Sequence, residues 1–224
     1  MNRIRGWRFV VFVLSTLIGT GSATSQTVLP HADTQTWNDV QVAIPVNDHL
    51  DVMLLGTLRI GRDITNFVDE RAGVGISYKL NKYITIAPNY QYITMQPVPN
   101  RKSFEHRFTG AVTLRLPLEK FTFSDRNQFE RRIRRPQVDA TRYRNRFMVE
   151  HPLDLGKLKL TIFASDEVFY DWSVNDWVRN RFAAGVNHKF NKHFTLDLYY
   201  MRQNDGRTRP GDLNVIGAIY RIRL

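Results

Sequence analysis

The chain has 224 residues, a formal charge of +11 and no cysteine, which excludes a disulfide framework and a sulfur-linked lipid anchor. It is 42% hydrophobic and 12% aromatic yet 24% charged, and beyond residue 25 no apolar run approaches the ~20 residues of a membrane-spanning helix. A barrel wall reconciles these averages, because lipid-facing and lumen-facing residues alternate along each strand.

At the N-terminus, Arg3, Arg5 and Arg8 precede an apolar run over 9–18 that is broken only by Ser15 and Thr16. Ala23 and Ser25 follow at the spacing of a signal-peptidase site, so residues 1–25 read as a cleaved secretory signal with a mature start at Gln26. Without the three signal arginines the charge is +8. That surplus points to anionic partners, namely lipopolysaccharide phosphates or acidic solutes, and export argues against nucleic acid.

From residue 34 onward the apolar pattern has period two. Leu50, Val52, Leu54, Gly56, Leu58 and Ile60 interleave with Asp51, Met53, Leu55, Thr57, Arg59 and Gly61. The same alternation recurs through Val74–Ile76–Tyr78, through Phe104–His106–Phe108–Gly110–Val112, and through Phe194–Leu196–Leu198–Tyr200. Eleven strands are expected, at 34–46, 50–61, 71–80, 83–95, 104–117, 120–131, 140–151, 157–170, 179–190, 193–203 and 213–224. Most are far longer than the ~5–6 residues of ordinary strands and match the ~9–11 of a tilted membrane crossing.

Short turns fall near Asn47, Asn81, Leu118, Asp154 and Asn191, at intervals of 34, 37, 36 and 37 residues, and the turn KLNKYIT at 79–85 nearly repeats as KFNKHFT at 189–195. Longer polar connections alternate with them at 61–66, 96–102, 132–139, 171–176 and 204–212. Short turns on one side and long loops on the other describe an outer-membrane barrel. The fold expectation is therefore all-β: a single closed antiparallel transmembrane barrel of about 10–12 strands, over residues 34–224. Leu54, Ile76, Phe108, Val112, Val186 and Leu198 should face outward, and Tyr83, Phe121, Phe190 and Phe194 should form an interfacial girdle. The strand ending at Leu224 should engage the barrel-insertion machinery, although a terminal Phe is more typical.

Eleven is awkward, because bacterial single-chain barrels usually have an even number of strands. Residues 26–33, interrupted by Pro30, are too few for a twelfth. Either this segment threads the lumen or the first strand is not a full wall strand.

The lumen face of 104–190 should carry Glu105, Arg107, Arg126, Gln128, Glu130, Arg142, Arg144, Arg146, Glu167 and Arg181. Register drawn from the turns pairs Arg107 with Glu130, Glu130 with Arg142, Gln128 with Arg144 and Arg126 with Arg146. It continues with Arg142 opposite Glu167, Glu150 opposite Lys159 and Glu167 opposite Arg181. The outcome is a charge ladder, Arg107–Glu130–Arg142–Glu167–Arg181, with Arg115, Arg126, Arg144 and Arg146 left in excess to favour anions. Structural glue inside the lumen is the plainer reading of the same ladder. Asp125 and Asp166 break the alternation, and either a β-bulge turns them inward or they sit near the outer interface.

Ser124-Asp125-Arg126-Asn127 with Phe129-Glu130, then Tyr143-Arg144-Asn145-Arg146, Ser165-Asp166-Glu167 with Phe169, and Trp37 near the mature start together resemble the domain-of-unknown-function family 2490. The resemblance spans most of the mature chain. It implies an exported bacterial β-barrel and carries over no activity.

Enzyme chemistry is disfavoured. His49, His151 and His193 sit at turns, His106 and His188 have outward parity without a serine opposite, and no metal-binding spacing occurs. Neither a cofactor nor a metal is expected. The functional expectation is an outer-membrane protein with a narrow, Arg-rich pore favouring small anionic solutes, in contact with outer-membrane lipid and lipopolysaccharide. A plugged structural or assembly barrel is the alternative; a lipid-modifying enzyme and a soluble lipocalin-like carrier rank lower. Oligomeric state stays open.

Overall fold

The alternating segments form twelve strands in a computed structural model that describes residues 30–156 and 158–224. The expected signal peptide and the mature start at Gln26 lie outside the described residues. The strands are β1 (Ala32–Pro45), β2 (Leu50–Gly61), β3 (Asn66–Lys79), β4 (Ile84–Ile86), β5 (Asn89–Met95), β6 (Ser103–Pro117), β7 (Thr122–Arg135), β8 (Ala140–Leu155), β9 (Leu158–Asp171), β10 (Asp176–Lys189), β11 (Phe194–Asn204) and β12 (Asp212–Arg223). Strands β4 and β5 are one wall strand interrupted at Ala87-Pro88, where proline has no N–H for the ladder. The wall stays bonded across the gap: Ala87 N–H donates to the Ala111 carbonyl at 2.8 Å and Ile76 N–H to the Pro88 carbonyl at 3.0 Å.

Eleven wall strands thus form one ring, with β2 paired to both β1 and β3. With an odd number, the first and last strands must run the same way. They do: β1 and β12 pair in parallel from Ala32 opposite Asp212 to Ala43 opposite Arg223. This corrects the expectation of an incomplete first wall strand and the assumption that every pairing is antiparallel; of the segment 26–33 offered for the lumen, residues 26–29 lie outside the described residues. The first segment is a full wall strand bonded on both sides, and it begins at the loop end.

Asparagine side chains explain the repeated short turns. The Oδ1 of Asn47 accepts from the N–H groups of His49 and Leu50, that of Asn81 from Tyr83 and Ile84, and that of Asn191 from His193 and Phe194, all at 2.8–2.9 Å. Each amide side chain mimics a backbone turn and satisfies two donors at once.

The wall buries little of its apolar surface against protein. Leu54, Ile76, Phe108, Val112 and Leu198 are 41–50% exposed, and Val186 lies between outward-facing Ile162 and Leu198. At the turn end Phe121, Phe123, Phe147 and His151 pack together on the outside, as do His188, Phe190 and Phe194. Phe129, Tyr143, Tyr170, Trp172 and Trp177 form a second aromatic group toward the loops.

No β-bulge turns Asp125 or Asp166 inward: register is regular around both, so both side chains stay on the outer wall, Asp125 in the fourth position of β7 from the turn end and Asp166 five residues before the end of β9. Neighbouring amides satisfy them: Asp125 accepts from Asn127 Nδ2 at 2.8 Å and from Asn145 Nδ2 at 2.6 Å, and Asp166 accepts from Asn180 Nδ2 at 2.8 Å. The motif segments therefore present two faces, arginines inward and an Asp–Asn network outward.

Candidate functional site

The inner wall is polar, and its middle is densely ion-paired. Glu105 is fully buried and accepts from Arg107 Nε at 2.6 Å and from Arg132 through Nε and Nη2 at 2.9 and 2.7 Å. Glu130, 1% exposed, takes Arg142 through Nε and Nη2 at 2.9 and 2.6 Å, and Arg144 Nη1 at 2.8 Å. Glu167 receives Arg144 on both oxygens, at 2.8 and 2.9 Å, and Arg126 Nη2 at 3.0 Å, with Arg181 Nη1 3.8 Å away. Two wall strands from Glu105, on β3, Asp69 holds Arg71 at 2.5 Å and Arg59 at 3.2 Å. Charges this enclosed need a counter-charge and hydrogen bonds together, and the bidentate arginines supply both.

Two aromatic rings sit inside this network. Phe169 is fully buried with the guanidinium carbons of Arg142, Arg144, Arg179 and Arg181 at 4.7–5.6 Å from its ring centre. Trp37 carries Arg59 at 3.4 Å and Arg181 at 4.9 Å. Its indole N–H donates to Gln35 at 2.7 Å, and it packs with Met201, Leu213 and Val215 behind the parallel seam. Nearby, Tyr199 lies flat against the wall over Gly217, where an added Cβ would fall 2.0 Å from the ring. A ≈ 720 Å³ cavity adjoins this layer, lined by Pro97 and Arg209 at the loop end and by Glu150 and Arg221 at the turn end.

All five ladder residues point inward, but their levels differ from expectation. Glu130 faces Arg142, Gln128 faces Arg144, Arg126 faces Arg146 and Glu167 faces Arg181, as the turns imply. Arg107 faces Arg132, two residues from its expected partner, because the β6–β7 connection spans 118–121 and not two residues. It still comes within 4.0 Å of Glu130. Arg142 faces Asp171 and Arg146 faces Glu167, a shift of four, because the β8–β9 turn falls at Gly156, with φ +73°, and not at Asp154. For the same reason Glu150 faces Phe163, and Lys159 faces Asp154.

The four arginines expected in excess also separate. Arg115 pairs with Glu150 at 3.1 Å near the turns, Arg144 bridges two glutamates and Arg126 rests on Glu167. Among the described residues Arg146 makes no side-chain hydrogen bond and no ion pair, and its Nε is buried without a partner. Arg59, Asp69, Arg71 and Arg132 complete the lumen network and escaped the sequence ladder, although strand parity already placed Arg59 on the polar face.

A family model described as "Protein of unknown function (DUF2490)" matches residues 34–214. No protein of curated function matches the sequence. Among solved structures the chain is similar to LpxR from Salmonella typhimurium, at 7% identity over 77% of this chain and 83% of that one, with a TM-score of 0.48. It is also similar to the KdgM porin in complex with disordered oligogalacturonate, at 12% identity over 78% and 92% of the two chains, with a TM-score of 0.42. With its match covering nearly all of the barrel, the chain belongs to the DUF2490 family.

Proposed function

We propose that the protein is an outer-membrane barrel whose narrow, arginine-rich lumen admits small anionic solutes. The observation that carries the reading is the ≈ 720 Å³ cavity lined from loop end to turn end, with arginines from most of the wall strands along it. The apolar outer wall, bordered by two aromatic groups, suits a bilayer with girdles at both interfaces. Charged rings at a constriction select by sign, and an excess of cations favours anions. No catalytic role enters this reading: the Nδ1 atoms of His49, His151, His188 and His193 each face a backbone carbonyl of an adjacent strand or turn at 2.7–3.1 Å.

The fully buried Glu105, Glu130 and Phe169 favour a second reading, a structural barrel plugged at its waist. Single-channel recording of the refolded protein in planar bilayers separates the two. Discrete conductance steps with anion preference support the pore, silence favours the plug, and cation preference overturns the anionic assignment. Glu130→Gln should raise anion preference in a conducting lumen and only lower stability in a plugged one.

A further inference from the structure

We propose that Arg146 and Arg126 form a specific oxyanion site in the turn-side half of the lumen, taking a carboxylate or phosphate group. The inference deepens the pore reading by assigning its binding position, yet it holds for a non-conducting lumen as well.

The first observation is placement. Arg126 on β7 and Arg146 on β8 are directly opposite, both facing the cavity. Like charges at such positions repel. A sheet that brings two arginines face to face therefore needs an anion between them or beside them.

The second observation is an account of the anions available. Glu167 lies opposite Arg146 across the β8–β9 ladder, but its oxygens are taken by Arg144 and Arg126, with Arg181 alongside. Glu150 serves Arg115 and Asp197 serves Arg221, at 3.1 and 2.6 Å. Arg146 has no protein acceptor among the described residues, and the Nε atoms of both Arg146 and Arg126 are buried without partners. A guanidinium offers five N–H donors in a rigid fork that fits two oxygens of one anion. Leaving such a buried donor unmatched is costly. A bound oxyanion taken on the terminal nitrogens of Arg146 gives this guanidinium an acceptor and relieves the repulsion, which a spherical halide does less well because it cannot span the fork.

The test is calorimetric titration of the intact barrel in detergent at constant ionic strength, with inorganic phosphate, acetate and chloride as separate probes. Saturable binding of phosphate or acetate, with chloride weaker, is expected. Whichever of the two binds more tightly names the group preferred. Arg146→Gln should weaken it by about tenfold or more, the loss of a charge-assisted pair. Arg131→Gln, on the outer wall opposite Phe108 and paired there with Asp139, should leave it unchanged. Arg146→Lys, which keeps the charge but not the fork, should fall between and guards against a misfolded glutamine variant. An unaltered isotherm in Arg146→Gln, or only non-saturating heats in the wild type, overturns the site. Conductance recorded in parallel keeps the two ideas apart: saturable binding without conductance refutes the pore alone, and conductance without saturable binding refutes the site alone.

Discussion

Glu167, like Glu130, is paired with three arginines in the lumen, and its neutralisation tests whether the ion-pair network holds the barrel. Glu167→Gln keeps the shape of the side chain and one acceptor oxygen, but removes the charge that faces Arg144, Arg126 and Arg181 at 2.8, 3.0 and 3.8 Å. Its side chain is 8% exposed and that of Arg144 13%, so water compensates little. Breaking a buried pair costs ~3–5 kcal/mol; with the residual amide contacts we expect about 3 kcal/mol. The matched control is Glu150→Gln, whose partner Arg115 is 57% exposed, and a pair of that kind is worth ~0.2–1 kcal/mol. Reversible urea unfolding in detergent micelles, followed by the slower gel migration of the unfolded form, measures both. Equal losses for the two variants, or a Glu167→Gln loss under about 1 kcal/mol, would refute the view that this network stabilises the wall.

Asn81→Ala and Asn191→Ala each remove an acceptor from two turn N–H groups and should each cost ~1 kcal/mol in the same unfolding assay, additively because the turns are separate. In the loop after β11, burial pulls the Asp205 carboxyl upward in pKa, but the Arg179 guanidinium and the N–H groups of Arg207 and Thr208 outweigh it and hold the carboxyl below its ordinary value. Its contribution is therefore complete above the unfolded carboxylate value of ~3.9 and fades as pH falls through the depressed folded value. Hydrogen exchange across 205–211 should quicken at acidic pH in the wild type and be fast and pH-independent, after correction for the intrinsic rate, in Asp205→Asn. Gly217→Val should drive a side chain into the Tyr199 ring at a cost of ~1–3 kcal/mol; adding Tyr199→Ala should return part of that loss, and strict additivity of the two would exclude the contact.

The wall was legible in the sequence because pleating fixes which face a residue takes whatever the turn does. Both mistakes in the ladder were even, two residues at Arg107 and four at Arg142, so every member kept its inward direction while its level changed. Level depends on turn length, and there the sequence was ambiguous: Leu118-Glu119 and Asp154 are poor markers, whereas Gly156 with positive φ was the better one. Loops came out too long for a related reason. Charged residues such as Arg132, Arg134 and Asp171 read as loop, yet they belong to strands whose inner face accepts charge. Two β-bulges, at Val68 and Val178, left no sequence signal that parity alone could expose. The unpartnered state of Arg146 was out of reach as well, since it depends on which acceptors its neighbours have already claimed.

The parallel closure has a consequence for how this chain can be rewired. Ala32 begins beside Asp212 at the loop end, while Leu224 finishes next to Ala43 at the turn end, so the two ends of the barrel chain are a full wall height apart. A short linker cannot circularise it. Joining the ends requires a crossing of ~12 residues at ~3.3 Å each, and such a linker has two routes: through the occupied lumen, or into the seam between β1 and β12. In the seam it would run opposite to both neighbours and turn one parallel contact into two antiparallel ones. This odd-numbered ring is thus one strand short of a permutable, even-numbered barrel, and the seam is where that strand would have to enter.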